Sequence, residues 1–212
     1  MNKKIILLPF IILILTGQSY ADQHNDYSLL NKSYNRTSIL GIIEDVDVGS
    51  GAGFEANLTT DFNGSNLYGS LKSSITWRDD VSGIGAYDLN VLTIGAGIGL
   101  IIDLGPVHLV PNVQLSHSKL NDFDFWYAKW NTTEIGLDLI TQIGENTLLT
   151  FTLDNYDVGD INVLNYVVFQ MESATAIGGK ISTKIAENQH LDLGIKFIED
   201  VTFMSAGISY DF

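Results

Sequence analysis

The feature that most limits what this chain can become is an alternation of apolar and polar residues with period two, repeated from residue 51 onward. Ala52, Phe54, Ala56 and Leu58 fall on one face of the first clear run, and Gly51, Gly53, Glu55 and Asn57 fall on the other. Only an extended strand separates successive side chains in this way, because its Cβ atoms point alternately to opposite faces. No long run places apolar residues at i, i+3, i+4 and i+7. The body of the chain is therefore expected to be all-β.

Taken in order, the pattern gives ten candidate strands. Residues 37–46 form the weakest, since Ile39, Leu40, Ile42 and Ile43 fall on both faces. Clearer strands follow at 51–62, 66–78, 89–103, 107–117, 131–143, 147–156, 175–186, 190–198 and 201–212. Asn63-Gly64-Ser65, Leu104-Gly105-Pro106, Gly144-Glu145-Asn146 and Glu187-Asn188-Gln189 are turn signals between them. Longer connections at 79–88, 118–130 and 157–173 alternate with these turns. Pro111 removes a ladder donor within a strand, and a bulge is its expected accommodation.

Two architectures suit such a chain, a soluble sandwich and a barrel inserted in lipid. The polar face of a sandwich meets water and is rich in Lys and Glu. Here it carries Gly, Ser, Thr and Asn, with sparse charges of both signs. Short turns alternate with long loops, and the last strand ends on Tyr210 and Phe212. Those features belong to a barrel, which satisfies every backbone group in lipid without a helix. The expected fold is a transmembrane antiparallel up-and-down β-barrel over residues 37–212. Ten strands are expected, because single-chain bacterial barrels have even strand numbers. Eight follow if two segments do not span.

Residues 1–21 have the form of a cleaved secretory signal peptide. Lys3 and Lys4 precede a short apolar run interrupted by Pro9, and Ser19 and Ala21 place small residues before the cleavage point. The run is shorter than the about 20 residues a membrane-spanning helix needs. Residues 22–36, polar and rich in Asn and Ser, are expected to form a periplasmic lead-in. The chain has no Cys, which excludes thiol catalysis, thiolate metal sites and disulfides. Its formal net charge of −14 argues against nucleic-acid binding, which needs Lys and Arg to displace counterions from phosphates.

The spacing Ser205-x-Gly207-x-x-Tyr210-x-Phe212 resembles the C-terminal signal by which outer-membrane assembly machinery recognises its barrels. With the alternation across the mature chain, the sequence resembles the small outer-membrane β-barrel families of Gram-negative bacteria, a group that includes OmpA-like, OmpX-like, OmpW-like and YfaZ-like proteins. The resemblance implies residence in the outer membrane, contact with its lipid and lipopolysaccharide, and assembly by the barrel machinery. Functions in that group are mixed, so the resemblance implies location better than activity.

Three places are candidates for function. The inward faces carry Glu55, Asp61, Glu134, Asp138, Asp154 and Asp192 against Lys72, Arg78, Lys180, Lys184 and Lys196. Such near-balance fits either a plug of ion pairs or a narrow water-filled pore with the same lining. Inward Gly95, Gly97 and Gly99 leave space for bulky neighbours or for water. The loop carrying Phe123, Phe125, Trp126 and Tyr127 fits a binding surface or an interfacial girdle, to which Trp77, Trp130 and Tyr210 would also belong. Catalysis is not expected. His117 lies between Ser116 and Ser118, which point to the opposite face, while His108 and His190 fall near turns as rim residues. The acidic loop positions Asp79, Asp80, Asp88, Asp157 and Asp160 have no EF-hand spacing, and neither metal nor cofactor is expected. The expected role is structural or weakly porin-like. A lipid-modifying enzyme and a loop-mediated adhesion or binding protein are the alternatives.

Overall fold

The structure is a computed structural model that describes residues 29–30, 33–46, 49–62, 65–78, 89–121, 127–163, 166–169 and 173–212. Ten long strands run in chain order: β1 Arg36–Val46, β2 Gly49–Asp61, β3 Leu67–Arg78, β4 Leu89–Leu100, β5 Val107–Asn121, β6 Tyr127–Ile143, β7 Thr147–Val158, β8 Ala174–Ala186, β9 Gln189–Ile198 and β10 Val201–Asp211. A two-residue segment, Ile102–Asp103, continues β4. Each strand pairs antiparallel with its neighbours in sequence. β10 returns to pair with β1 from Arg36↔Asp211 to Asp45↔Thr202. The result is a closed ten-stranded barrel. Closure leaves no strand edge with unpaired N–H and C=O groups, the condition for a sheet to survive in hydrocarbon.

The alternation sets the two faces. Ile39, Phe54, Leu71, Ile94, Leu115, Ile135, Leu193 and Ile208 project outward and stay exposed, forming an apolar wall. In water so much continuous apolar surface would drive association, whereas in a bilayer it is the matched surface. The weak first strand joins the same scheme. Ile39 and Ile43 lie outside, while Leu40 and Glu44 are buried within the barrel.

The structure differs from the sequence expectations in three places. The second long loop is shorter than residues 118–130, because β5 continues to Asn121 and β6 begins at Tyr127. Two short strands, Ile161–Val163 and Tyr166–Phe169, form a hairpin in the third loop and extend the wall beside Ala128 and Lys129. Pro111 sits in no bulge: the registers Gly99↔Asn112 and Ile102↔Leu109 enclose equal numbers of residues on both strands. Instead the β4 ladder loses its rungs at Leu100, opposite the proline, and at Ile101, whose N–H donates to the Asn66 carbonyl at 2.6 Å. A missing donor thus removes rungs without changing the register.

The end of the barrel that carries the start of β1 and the finish of β10 is the turn end. Gly105 (φ 85°) and Gly144 (φ 65°) make tight reversals there. The opposite, loop end carries the longer connections.

Candidate functional site

Within the lumen, charges from facing strands meet. Lys196 on β9 crosses over β8 at Gly178, its ladder partner, to reach β7. Its Nζ donates to Asp154 Oδ2 at 2.7 Å and to Tyr156 Oη at 2.9 Å, with Glu134 Oε1 at 3.9 Å. A side chain at position 178 would collide with Thr152 and crowd Lys196, so the glycine keeps this crossing open. On the far wall, Lys72 pairs with Glu55 at 2.8 Å, and Asn57 holds the other Glu55 oxygen at 2.7 Å. Asn112 donates to Asp138 Oδ2 at 3.1 Å. Asp61, Lys180 and Lys184 also stand on inner-face positions. Among the inward glycines, Gly99 lies beneath the Tyr68 ring, and Gly95 and Gly97 lie against Gln114 with Ser116 and Ser70. They make room for neighbouring side chains.

A second cluster lies at the turn end, where the barrel closes. Arg36 Nε donates to Asp211 Oδ1 at 2.6 Å and its Nη1 to Ser182 Oγ at 2.9 Å. His190 Nε2 lies 2.7 Å from Asp211 Oδ2, and Arg36 Nη2 is 3.3 Å from the same nitrogen. Sequence reasoning missed this cluster. Arg36 was assigned to the lead-in, and His190 and His108 were expected on the rim, yet both histidines are buried. Period two does place Asp211 on the polar face of the last strand, which was the available signal.

Ser182, His190 and Asp211 do not form a nucleophilic triad. Asp211 engages the imidazole through Nε2, Ser182 Oγ is held by Arg36, and His190 Nδ1 has no partner among the described residues. Beside them, Asp192 is buried with neither carboxylate oxygen hydrogen-bonded among the described residues, and the Ser209 hydroxyl likewise has no described partner.

The third feature is an apolar collar inside the turn end. Ile101 at the end of β4 and Val110, Ile140 and Leu148 from the next three strands point inward, where most of the lumen wall is polar. The residues preceding β1 fill this collar. Leu29 and Leu30 pack against Leu148 and Ile140, and Leu30 is 0% exposed. The Leu30 N–H donates to Gln142 Oε1 at 3.1 Å. Tyr34 packs with Tyr68, Ile101 and Val110 and stacks on His108 at 5.7 Å between ring centroids. The Tyr34 hydroxyl lies 2.9 Å from His108 Nδ1. Burial pushes the Tyr34 phenol above its ordinary value, so it stays protonated and can donate that bond.

The remaining candidates lie apart from the lumen or outside what is described. His117 faces outward and bonds Asn131 Oδ1 through Nδ1 at 2.9 Å. Trp77 is on the outer wall and meets Phe54 edge to face at 6.2 Å, and Tyr210 and Phe212 are exposed at the turn end. Trp130 is not on that wall. It stands opposite Ser118 in the ladder, on the inner face, so it cannot belong to a lipid-facing girdle. Residues 1–21, expected to be a signal peptide, and His24, Asp79, Asp80, Asp88, Phe123, Phe125 and Trp126 lie outside the described residues, as do the side chains of Arg78 and Tyr127. Of the other motif residues, Ser205 and Gly207 face inward on β10.

A closed ten-stranded antiparallel barrel with an apolar outer wall and a charged lumen defines the chain as a small β-barrel of the outer-membrane class. Among solved structures, its fold is similar to the translocator domain of the autotransporter NalP from Neisseria meningitidis, at 11% identity over 96% of this chain and 97% of that one, with a TM-score of 0.51. It is also similar to an outer membrane channel from Pseudomonas putida F1, at 10% identity over 84% of this chain and 94% of that one, with a TM-score of 0.50. A KdgM porin matches at 13% identity over 82% of this chain and 99% of that one, with a TM-score of 0.43. No protein-family model matches the chain, and no curated protein matches it in sequence.

Proposed function

We propose that this barrel is a narrow, cation-preferring channel for small solutes in the outer membrane. The observation that carries the proposal is the state of its inner lysines. The side chains of Lys72 and Lys196 each keep 29% of their surface exposed although both point into a closed barrel. A lumen solid with ion pairs would leave them no such surface, so the middle of the barrel has room for water. Acids also outnumber bases on the described inner face, once Glu44 and Asp211 join Glu55, Asp138, Asp154 and Asp192. An excess of fixed negative charge in a narrow passage attracts cations and repels anions.

The signal peptide would export the chain, and the assembly machinery, lipid and lipopolysaccharide are its proposed partners. No catalytic role is part of the proposal, since the buried Ser182, His190 and Asp211 lack the connectivity of a nucleophile and its base.

Single-channel recording of the refolded mature protein in a planar bilayer tests the proposal. Under a salt gradient, cation-selective openings are expected. Lys72→Ala should strengthen the selectivity and Asp138→Ala should weaken it. A folded barrel that stays silent even when Leu29, Leu30 and Tyr34 are displaced from the lumen overturns the channel.

A further inference from the structure

We infer that Leu29, Leu30 and Tyr34 form a displaceable plug that holds the turn end of the lumen shut. This rests on the channel proposed above and adds how that channel is controlled. A water-filled passage has no use for an apolar collar, because apolar surface facing lumen water is unfavourable. Yet Ile101, Val110, Ile140 and Leu148 all point inward on one side of the turn end, and the last of them is 2% exposed. They are covered by Leu29, Leu30 and Tyr34 of the same chain. Collar and segment therefore match in chemistry as well as position, as a seat and its occupant do.

The attachment is also of the kind that can release. Among the described residues, Leu29, Leu30, Ser33 and Tyr34 add no rung to the barrel ladder, which starts at Arg36. Their described polar anchors to the wall are the bond from Leu30 to Gln142 and that between Tyr34 and His108. Withdrawing the segment would break those two bonds and uncover the collar, but every strand pairing would persist. The closed state is thus held mainly by apolar contact. Whatever pulls Leu29 and Leu30 out of their seat would favour the open one.

The absence of native cysteine makes the test direct, because an introduced thiol is the sole one. Val110, 1% exposed beneath Tyr34, becomes the reporter as Val110→Cys. Its labelling by a bulky membrane-impermeant maleimide is compared in the otherwise native chain and in a chain carrying Leu29→Asp and Leu30→Asp. Carboxylates at these positions disfavour seating in the collar by more than the two leucines favoured it, so labelling should accelerate roughly tenfold or more. Mean current should rise with it. In a separate chain, oxidation of a Leu30→Cys/Leu148→Cys pair should abolish current and reduction should restore it.

Unchanged labelling in a folded, heat-modifiable barrel overturns the plug. So does a non-zero current that is equal in the oxidised and reduced pair, which decides the matter if the aspartate variant does not fold. Faster labelling with every variant electrically silent leaves the plug standing and removes the channel.

Discussion

Arg36 and Asp211 face each other as ladder partners across the seam between the first and last strands, and their side chains form a buried ion pair of 2.6 Å inside the barrel. The closure of the sheet is thereby fixed twice at the same point, by backbone rungs and by opposite charges. Ser182 and His190 fill out the pair's hydrogen-bonding capacity, which lets charges persist away from water. Breaking one partner strands the other. Arg36→Met and Asp211→Asn are each expected to lower stability by about 3–5 kcal/mol, and Arg36→Met with Asp211→Leu together by much less than the sum. Urea unfolding in lipid vesicles measures this, and strict additivity would contradict the coupling.

The same seam makes a prediction about a residue of the C-terminal motif. Gly207 packs so closely on β1 that a methyl group there would strike the Ile39 carbonyl oxygen and come within 2.7 Å of the Leu40 Cα. Backbone cannot move aside as a side chain can. Gly207→Ala should cost about 1–3 kcal/mol and slow assembly. Gly41→Ala lies on the same seam and would meet nothing closer than 3.6 Å, so it should stay within about 0.5 kcal/mol of the native protein. Equal effects at the two positions would show that space at the seam is not the cause.

Asp192 offers the opposite sign. Asp192 is 1% exposed, and neither carboxylate oxygen is hydrogen-bonded among the described residues. An unpartnered buried charge is a liability, so Asp192→Asn should raise stability by about 1 kcal/mol or more at neutral pH. A loss of stability in the unfolding curve would mean that the carboxylate is compensated by a group bound beside it.

The turn from β9 to β10 holds Glu199 at φ 51°, a left-handed conformation that disfavours a Cβ. Glu199→Gly should therefore stabilise the hairpin by about 1 kcal/mol, seen as a later unfolding midpoint with an unchanged slope. No gain would mean that contacts of the Glu199 side chain offset the strain.

The lumen charges show how far local pattern reaches. Glu55, Lys72, Asp154 and Lys196 were all legible as inward residues, because facing is decided by counting in twos along a strand. That Lys196 bonds Asp154 across an intervening strand was not legible, since it depends on Gly178 and on the β8 register. Trp130 shows the other failure. A residue type common in lipid-facing girdles drew it outward, whereas the parity of its own strand places it opposite Ser118.

By itself the sequence determined the ten strands, their two faces and the membrane-barrel class. Each of these follows from backbone geometry acting over a few residues. Only the tertiary structure decided that Arg36 meets Asp211, 175 positions away, and that Leu30 and Tyr34 lie inside the barrel. Which residues meet at a closure is the accumulated result of every register around the sheet, and no local window carries it. Leu29 and Leu30 sat in a segment whose Asn and Ser marked it as polar lead-in, and their burial became visible only once the collar existed to receive them.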